Sequence, residues 1–121
     1  MKILVIDDEE DIQLLFKFKF KKEIEEGVLD FHFSLSAFEA LNLLSKEEFS
    51  DLSLIISDIN MPGMTGLELL NVIRKKFPKL KFYIISAYGD KKNIDLAKEQ
   101  GVDEFLTKPI NFDLLKEKIM S

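Results

Sequence analysis

The chain has 121 residues, 46% of them hydrophobic and 32% charged, which is typical of one domain with a single core. Its 17 Lys and Arg against 22 Asp and Glu give a net charge of -5, which argues against nucleic acid or an anionic membrane surface as the main partner. The lack of Cys and the single His, His32, exclude disulfide scaffolds, thiolate metal sites and zinc sites built from two or more histidines.

Five short apolar runs predict β-strands at residues 3–6, 29–35, 52–57, 82–86 and 104–106. The first run is too short for a signal peptide or a membrane span, so we expect a cytoplasmic protein with no membrane partner. The first, third and fourth runs are nearly continuous, which is typical of parallel strands covered on both faces. The second alternates less cleanly because His32 lies between Phe31 and Phe33, and we place it at a sheet edge.

The first stretch between strands has two competing patterns. Residues 16–21 alternate Phe and Lys with period two, which alone predicts a strand, but the flanking residues favour one helix over residues 9–26. The predicted buried stripe of this helix is Ile12, Leu15, Phe16, Phe20 and Ile24. Phe18 falls off the stripe, and we expect its ring to be partly exposed against neighbouring Lys side chains.

The other helical stretches have recognisable starts. Glu39 and Glu68 each follow a hydroxyl residue by three positions, which predicts capping boxes. The predicted N-caps are Ser36, Thr65, Asp90 and Asn111. The predicted buried residues of the third and fifth helices are Leu69 or Leu70, Ile73 and Phe77, and Phe112, Leu115 and Ile119. Strand followed by helix, repeated five times, predicts a doubly wound α/β fold with five helices in one domain over residues 1–121.

Ionisable and hydroxyl residues follow four of the five predicted strands. Asp7 and Asp8 follow the first, Asp58 the third, Ser86 the fourth and Lys108 the fifth. Each alone has an ordinary explanation as a cap, a turn residue or a surface charge. Because the carboxyl ends of parallel strands form one rim, where ligands of such sheets bind, we expect these side chains to converge.

Clustered carboxylates need a compensating cation. Two like charges about 4 Å apart repel by roughly 4 kcal/mol at an effective dielectric near 20. Lys108 supplies one positive charge for Asp7, Asp8 and Asp58, which leaves the cluster negative. With oxygen ligands only, the set favours Mg²⁺, or Mn²⁺, over zinc, and Mg²⁺ commonly completes its shell with phosphate oxygens. The sequence therefore predicts a site for a phosphoryl group.

These motifs together resemble the receiver domain of two-component response regulators. The resemblance covers essentially the whole chain and rests on Asp7-Asp8, Asp58 with the following MPGMTG at residues 61–66, Ser86-Ala87 and Lys108-Pro109. It implies a flavodoxin-like, five-stranded parallel sheet of order 2-1-3-4-5.

The resemblance also implies roles at the rim. Asp58 would take a phosphoryl group from a histidine of a partner kinase or phosphotransfer protein, so the chain is a phosphoacceptor and not an enzyme in its own right. Asp8 would ligate Mg²⁺ directly and Asp7 through water, with Asp58 and the Asn60 carbonyl completing the protein ligands. His32 is expected to be structural, and the donor histidine to come from another protein.

Further roles concern switching. Lys108 would pair with one phosphoryl oxygen, and Ser86 would bond another and move towards it. Phe105, on the fifth strand, is either the aromatic that swings inward or a plain core residue. Tyr88 is expected to shield the acyl phosphate from water.

Partner surfaces follow from the same resemblance. Ile12 and Leu15, with Pro109 and Ile110 opposite, are candidates for docking the kinase, although core packing also explains the first two. Output to a downstream protein is expected through the fourth helix, the fifth strand and the fifth helix, with phosphorylation-dependent dimerisation open. The sequence does not separate a stand-alone receiver from part of a longer regulator.

Three alternative functions can be compared with the receiver, and the second of them is rejected. A haloacid-dehalogenase-like phosphohydrolase would need a second Asp at the position of Asn60. A flavodoxin-like flavin carrier would need a phosphate loop where the sequence places the acidic residues 7–11. The third is a pseudo-receiver that binds partners without accepting phosphate, although every acceptor-site residue is present.

Overall fold

The computed structural model describes residues 1–87 and 91–121 and contains a five-stranded parallel sheet of order β2-β1-β3-β4-β5. The strands are β1 (Lys2–Ile6), β2 (Asp30–Ser34), β3 (Leu54–Asp58), β4 (Lys81–Ser86) and β5 (Glu104–Thr107). This confirms the flavodoxin-like α/β fold and places β2 at an edge of the sheet, as predicted.

Six α-helices lie within the described residues, one more than predicted. They are α1 (Asp11–Lys19), α2 (Lys21–Glu25), α3 (Ala37–Leu44), α4 (Gly66–Lys76), α5 (Lys91–Glu99) and α6 (Phe112–Met120), with a 3₁₀ helix at Glu47–Phe49. The single helix predicted over residues 9–26 was wrong, because Phe20 leaves helical geometry at φ −108° and ψ 20° and divides it into α1 and α2. The break falls within the Phe-Lys alternation, where the period-two pattern competes with the helix. The fourth and fifth predicted helices are therefore α5 and α6.

The helices cover both faces of the sheet. Side chains of alternating strand residues point to opposite faces, so Leu4 and Ile6 join one cluster while Ile3 and Val5 join the other. The first cluster packs under α3, α4 and α5, and the second under α1 and α6. Near-continuous apolar strands are thus buried on two sides, as expected of a parallel sheet.

Helix starts mostly follow the predicted chemistry. Thr65 and Glu68 form a complete capping box at α4, and the Asn111 side chain accepts from the Leu114 amide at α6. At α3 the Ser36 hydroxyl accepts from the Glu39 amide, but the Ser36 amide donates to Ser34 Oγ, a competing acceptor. Two residues singled out from the sequence, the predicted cap Asp90 and the predicted shield Tyr88, lie outside the described residues.

Not every apolar residue at helical spacing is buried. Phe77 is 38% exposed because it ends α4 at φ −135° and ψ 70°, so its side chain leaves the stripe of Leu69, Leu70 and Ile73. Leu15 is also 38% exposed, which corrects its assignment to the buried stripe of the first helix.

The other residues of the buried stripe predicted for the first helix are more deeply buried than Leu15. Phe16 and Phe20 are fully buried, and Ile12 and Ile24 are half-buried. Phe18 is exposed, with Lys19 Nζ 6.0 Å from the centre of its ring, as the pattern predicted. No helix in residues 1–87 or 91–121 combines the length and apolarity needed to cross a bilayer.

Candidate functional site

Three carboxylates meet at the carboxyl edge of the sheet. Asp7 and Asp8 follow β1, and Asp58 is the last residue of β3, the strand beside it. The strand order reverses between β1 and β3, which is where open α/β sheets bind ligands. One ligand oxygen from each of the three residues lies within 4.8 Å of the other two. We call Asp7, Asp8 and Asp58 the carboxylate cluster.

Lys108 reaches this cluster from the end of β5. Its Nζ lies 3.5 Å from Asp7 Oδ2 and 3.4 Å from Asp58 Oδ2. Its backbone amide donates to the carbonyl of Ser86 at 2.7 Å, which fixes the end of β5 beside the end of β4. One ammonium is therefore shared by two buried carboxylates, and exposed Asp8 adds a third negative charge.

Backbone amides orient the two buried carboxylates. Asp58 Oδ1 accepts from the Ile59 amide at 2.8 Å, and Asp7 Oδ1 accepts from the Glu9 amide at 2.9 Å. In each residue the other oxygen, Oδ2, is the one that faces Lys108. The hydrogen bonds thus hold one oxygen of each carboxylate and leave the second turned towards the cluster.

Burial dominates the electrostatics of the site. Removal from water raises the pKa of Asp58 and of Asp7 above the usual 3.8, although Lys108 and the backbone amides act in the opposite direction. Burial lowers the pKa of Lys108, but the attraction of Asp58 and Asp7 outweighs it and raises that pKa above 10.5. Both carboxylates are therefore incompletely compensated, and the cluster lacks positive charge.

A hard divalent cation fits this donor set. In the described part of the chain, the carboxylate cluster is the one group of three or more metal-ligating side chains. All its donors are carboxylate oxygens, the ligand type that Mg²⁺ takes and that zinc sites built from His and Cys lack. Two of the donors, Asp7 and Asp58, are already desolvated, and burial raises the pKa of each. A bound cation would supply the positive charge that these carboxylates lack.

Ser86 lies at the same edge of the sheet as the carboxylate cluster, and Asn60 follows Asp58 closely in the chain. Ser86 ends β4 and is 1% exposed, and its neighbour Ile85 is the register partner of Asp58. Asn60 is exposed, two residues after Asp58 in the loop that leads to α4. The structure therefore brings the predicted hydroxyl and the carboxylates to one rim.

Glycines shape the loop after Asp58, a feature that sequence reasoning used only as part of the resemblance. A Cβ on Gly66 would lie 2.3 Å from the Asp58 carbonyl oxygen, and the Gly66 amide donates to the Ile59 carbonyl at 2.9 Å. Gly63 has φ +78°, a conformation that side chains disfavour, and the Phe38 ring packs against it. The MPGMTG motif is the sequence signal for this tight path.

The candidate docking residues share one groove. Ile12 and Leu15 of α1 and Pro109 and Ile110 before α6 line a cavity of about 550 Å³, and Lys108 is also in its lining. Phe105, the candidate switch residue, is half-buried and packs against the hydrophobic core cluster under α3, α4 and α5.

His32 lies away from the rim, as expected. It pairs with Leu4 in the middle of β1, and its Nε2 lies 3.1 Å from Asp30 Oδ2. Its ring packs against Phe49 with 5.1 Å between the ring centres. The contacts that the described residues make with this side chain are therefore those of a structural residue.

Comparisons with known proteins agree with this geometry. Residues 3–120 match the family described as response regulator receiver domain. A relative named Chemotaxis protein CheY homolog, from Campylobacter jejuni, is 33% identical over 121 residues, covering 98% of this chain and 89% of that protein.

Solved structures are similar along the whole chain. A response regulator receiver domain protein from Clostridium thermocellum has a TM-score of 0.82 at 29% identity, covering 99% of this chain and 98% of that one. The response regulator protein TrrA of Thermotoga maritima, solved in complex with Mg(2+)-BeF, has a TM-score of 0.77 at 35% identity, covering 98% and 96%.

Proposed function

Because this chain belongs to the response regulator receiver domain family, whose members are signalling domains of two-component systems, we propose that it is a Mg²⁺-dependent phosphoacceptor. Asp58 is the acceptor in this proposal. The observation that carries it is the carboxylate cluster, with Lys108 held against both Asp58 and Asp7. The domain acts as one unit over residues 1–121.

The proposed reaction is transfer from a phosphohistidine of a partner protein. A carboxylate oxygen of Asp58 attacks phosphorus, and the bond from phosphorus to the donor imidazole nitrogen breaks. The electron pair of that bond stays on the imidazole nitrogen, and Asp58 becomes an acyl phosphate. His32 does not serve as donor because it lies on β2 away from Asp58. The chain assists its own phosphorylation and dephosphorylation but has no separate substrate.

The residues that would hold the metal are Asp7, Asp8, Asp58 and the Asn60 carbonyl. The cation, Mg²⁺ or alternatively Mn²⁺, supplies charge neutralisation for the phosphoryl oxygens. The TrrA structure, solved with Mg(2+)-BeF and 35% identical to this chain, supports this assignment.

Lys108 and Ser86 stabilise the phosphoryl group in the proposal. The Lys108 ammonium exchanges its contacts with Asp7 and Asp58 for a phosphoryl oxygen, and the Ser86 hydroxyl moves to bond another. This movement lets Phe105 swing inward and changes the surface formed by α5, β5 and α6. Amide shifts on addition of fluoroberyllate should be larger in α5 and β5 than in α1, α2 and α3, and equal shifts would argue against the switch.

The proposed partners are a histidine kinase or histidine phosphotransfer protein and a downstream protein. The groove lined by Ile12, Leu15, Pro109 and Ile110 supports docking of the donor there, because these apolar residues share it with Lys108, whose Nζ lies 3.4 Å from Asp58 Oδ2. The downstream target would read the surface of α5, β5 and α6, with a phosphorylation-dependent dimer as one form of output. A cytoplasmic location and the absence of nucleic acid and membrane partners remain part of the proposal.

Intact mass after incubation with acetyl phosphate and Mg²⁺ tests the phosphoacceptor. Wild type should gain one phosphate, which EDTA prevents, and Asp58→Asn should gain none. Asp113→Asn, which changes an exposed aspartate of α6, is the matched control and should behave as wild type. An unmodified wild type would favour the pseudo-receiver, and an adduct retained in Asp58→Asn would place the acceptor elsewhere.

A further inference from the structure

A second concave surface lies at the amino end of the sheet. It is a groove of about 890 Å³ between the segment after α3 and the turn between α4 and β4. It sits where β3 and β4 begin, since their first residues Leu54 and Lys81 are register partners. At about 3.3 Å per residue, β3 separates this end of the sheet from Asp58 by roughly 13 Å or more. The groove is therefore distinct from the carboxylate cluster. We call it the basal groove.

The floor of the basal groove is apolar. Its large side chains are Leu44, Phe49, Leu52, Phe77 and Leu80. Phe77 is 38% exposed, although its spacing in the sequence matches the buried stripe of α4. An aromatic ring of this kind, left partly in water, is the type of side chain that contributes strongly to binding when a partner covers it.

Hydrogen bonds hold both walls in place without a partner. On one side the Leu80 amide donates to the Phe77 carbonyl at 3.1 Å, and Arg74 of α4 donates to the Leu80 carbonyl. On the other side the Ser53 amide donates to the Lys2 carbonyl at 2.9 Å, and Lys2 Nζ lies 2.8 Å from Asp51 Oδ1. The basal groove is thus preformed, which reduces the entropy lost when a ligand binds.

The rim of the basal groove is basic, in contrast to the acidic chain. Lys46, Lys79 and Lys81 line it with one acidic residue, Glu47, a local net charge of +2 in a chain of net charge -5. All three lysines are exposed, and none forms an ion pair with any residue in the described ranges 1–87 and 91–121. Their charge is therefore available to a partner.

We propose that the basal groove docks an acidic amphipathic peptide segment of another protein. Apolar side chains of such a helix, spaced at i, i+3, i+4 and i+7, fill the floor, and carboxylates on its flanks face the lysines. The complementarity is specific, because the remaining negative charge of the chain repels an acidic partner elsewhere. Docking at this end leaves the rim around Asp58 free, so it is independent of the phosphorylation state.

A pair of synthetic peptides tests this proposal. The acidic peptide has about fourteen residues, with Leu on one helical face and Glu on the other, and the basic peptide has Lys in place of every Glu. In amide spectra of the ¹⁵N-labelled full chain, the acidic peptide should cause saturable shifts in residues 44–53 and 77–81 and bind at least about tenfold more tightly than the basic one.

Charge reversal at the lysine rim of the basal groove provides a second test of the proposal. Lys79→Glu with Lys81→Glu should weaken the acidic peptide by about tenfold or more and strengthen the basic one. Lys21→Glu with Lys22→Glu, the same charge change on exposed residues of α2, should leave both affinities unchanged. Thermal melts of both variants establish that they fold. Equal affinity for the two peptides, shifts confined to other surfaces, no binding at millimolar peptide, or equal losses in both double variants would overturn the proposal.

Discussion

Asp58 and Asp7 are buried carboxylates whose charge is stabilised by one shared ammonium. Desolvation raises the pKa of each above 3.8, so the native state binds their protons more tightly than the unfolded chain does. The ionised carboxylates therefore destabilise the metal-free fold above their native pKa values, and this penalty is relieved as pH falls through them. A proposed ligand site of this kind therefore lowers the stability of the metal-free fold.

Removing one of these charges should stabilise the metal-free protein. We expect Asp58→Asn to raise the free energy of unfolding by about 1 kcal/mol at pH 7 in EDTA, measured by urea denaturation. The gain over wild type should shrink as pH falls from 7 through the raised pKa of Asp58, because wild type then becomes neutral there too. Asp113→Asn, on the exposed side of α6, should show no such gain. A destabilised Asp58→Asn, or a gain that grows towards acidic pH, would contradict this account.

Gly66 is required by a close backbone approach. A Cβ there would lie 2.3 Å from the Asp58 carbonyl oxygen and 2.9 Å from the Ile59 Cα, and backbone atoms cannot give way as a flexible side chain can. We expect Gly66→Ala to lower the free energy of unfolding by about 3 kcal/mol. Gly27→Ala is an informative comparison, since nothing lies within 4 Å of its Cβ position and only its φ of +73° adds strain. A Gly66→Ala variant as stable as wild type would show that the loop can shift freely.

At the scale of elements, an ion pair joins α2 to α6. Glu23 of α2 is buried, and its Oε2 lies 2.5 Å from Lys116 Nζ of α6. The hydrogen bond from Lys116 lowers the pKa of Glu23 below 4.5, so the pair stabilises the fold above that pH and the contribution is lost as pH falls through the native pKa.

Glu23→Gln should therefore be less stable than wild type at pH 7 and match it at low pH. Urea denaturation between pH 7 and pH 3 measures the difference, which should narrow below the unfolded value of 4.5. Glu25 is an exposed neighbour whose Oε1 lies 4.0 Å from Lys21 Nζ. The stability of Glu25→Gln should therefore differ little from that of wild type across the same pH range. A Glu23→Gln penalty that stays constant across the titration would mean that packing, not charge, holds α2 to α6.

The elements show which local signals suffice for prediction. The capping box at Thr65 and the cap at Asn111 follow from side-chain chemistry within three residues, and both form. The break at Phe20 does not follow from local sequence, because the buried Phe ring satisfies both a strand and a helix pattern. The exposure of Phe77 depends on where α4 ends, and that end is the least predictable feature of a helix.

At the scale of the whole molecule, parallel strands place chemistry at predictable ends. Continuous apolar runs indicate a parallel sheet, and a parallel sheet brings Asp7, Asp58 and Lys108 to one rim. The strand order itself comes from the resemblance to receiver domains, because apolar runs carry no information about which strands are neighbours. The atoms that contact one another, such as Asp58 Oδ2 and Lys108 Nζ, are visible only in the structure.

Charge is also separated along the sheet. The carboxylate cluster lies at the carboxyl end of the strands, and the lysine rim of the basal groove lies at the amino end. In the two proposals each end attracts a different class of ligand, a cation with a phosphoryl group at one and an acidic segment at the other.

We infer that crowded carboxylates are tolerated at one rim because a divalent cation and a phosphoryl anion neutralise each other there. Calorimetric titration of Mg²⁺ with and without saturating fluoroberyllate, a phosphoryl mimic, tests it most directly. Thermodynamic coupling predicts that fluoroberyllate raises the Mg²⁺ affinity of wild type by about tenfold or more, and that Asp58→Asn loses this gain. An affinity unchanged by fluoroberyllate, or no detectable binding of Mg²⁺, would contradict the account.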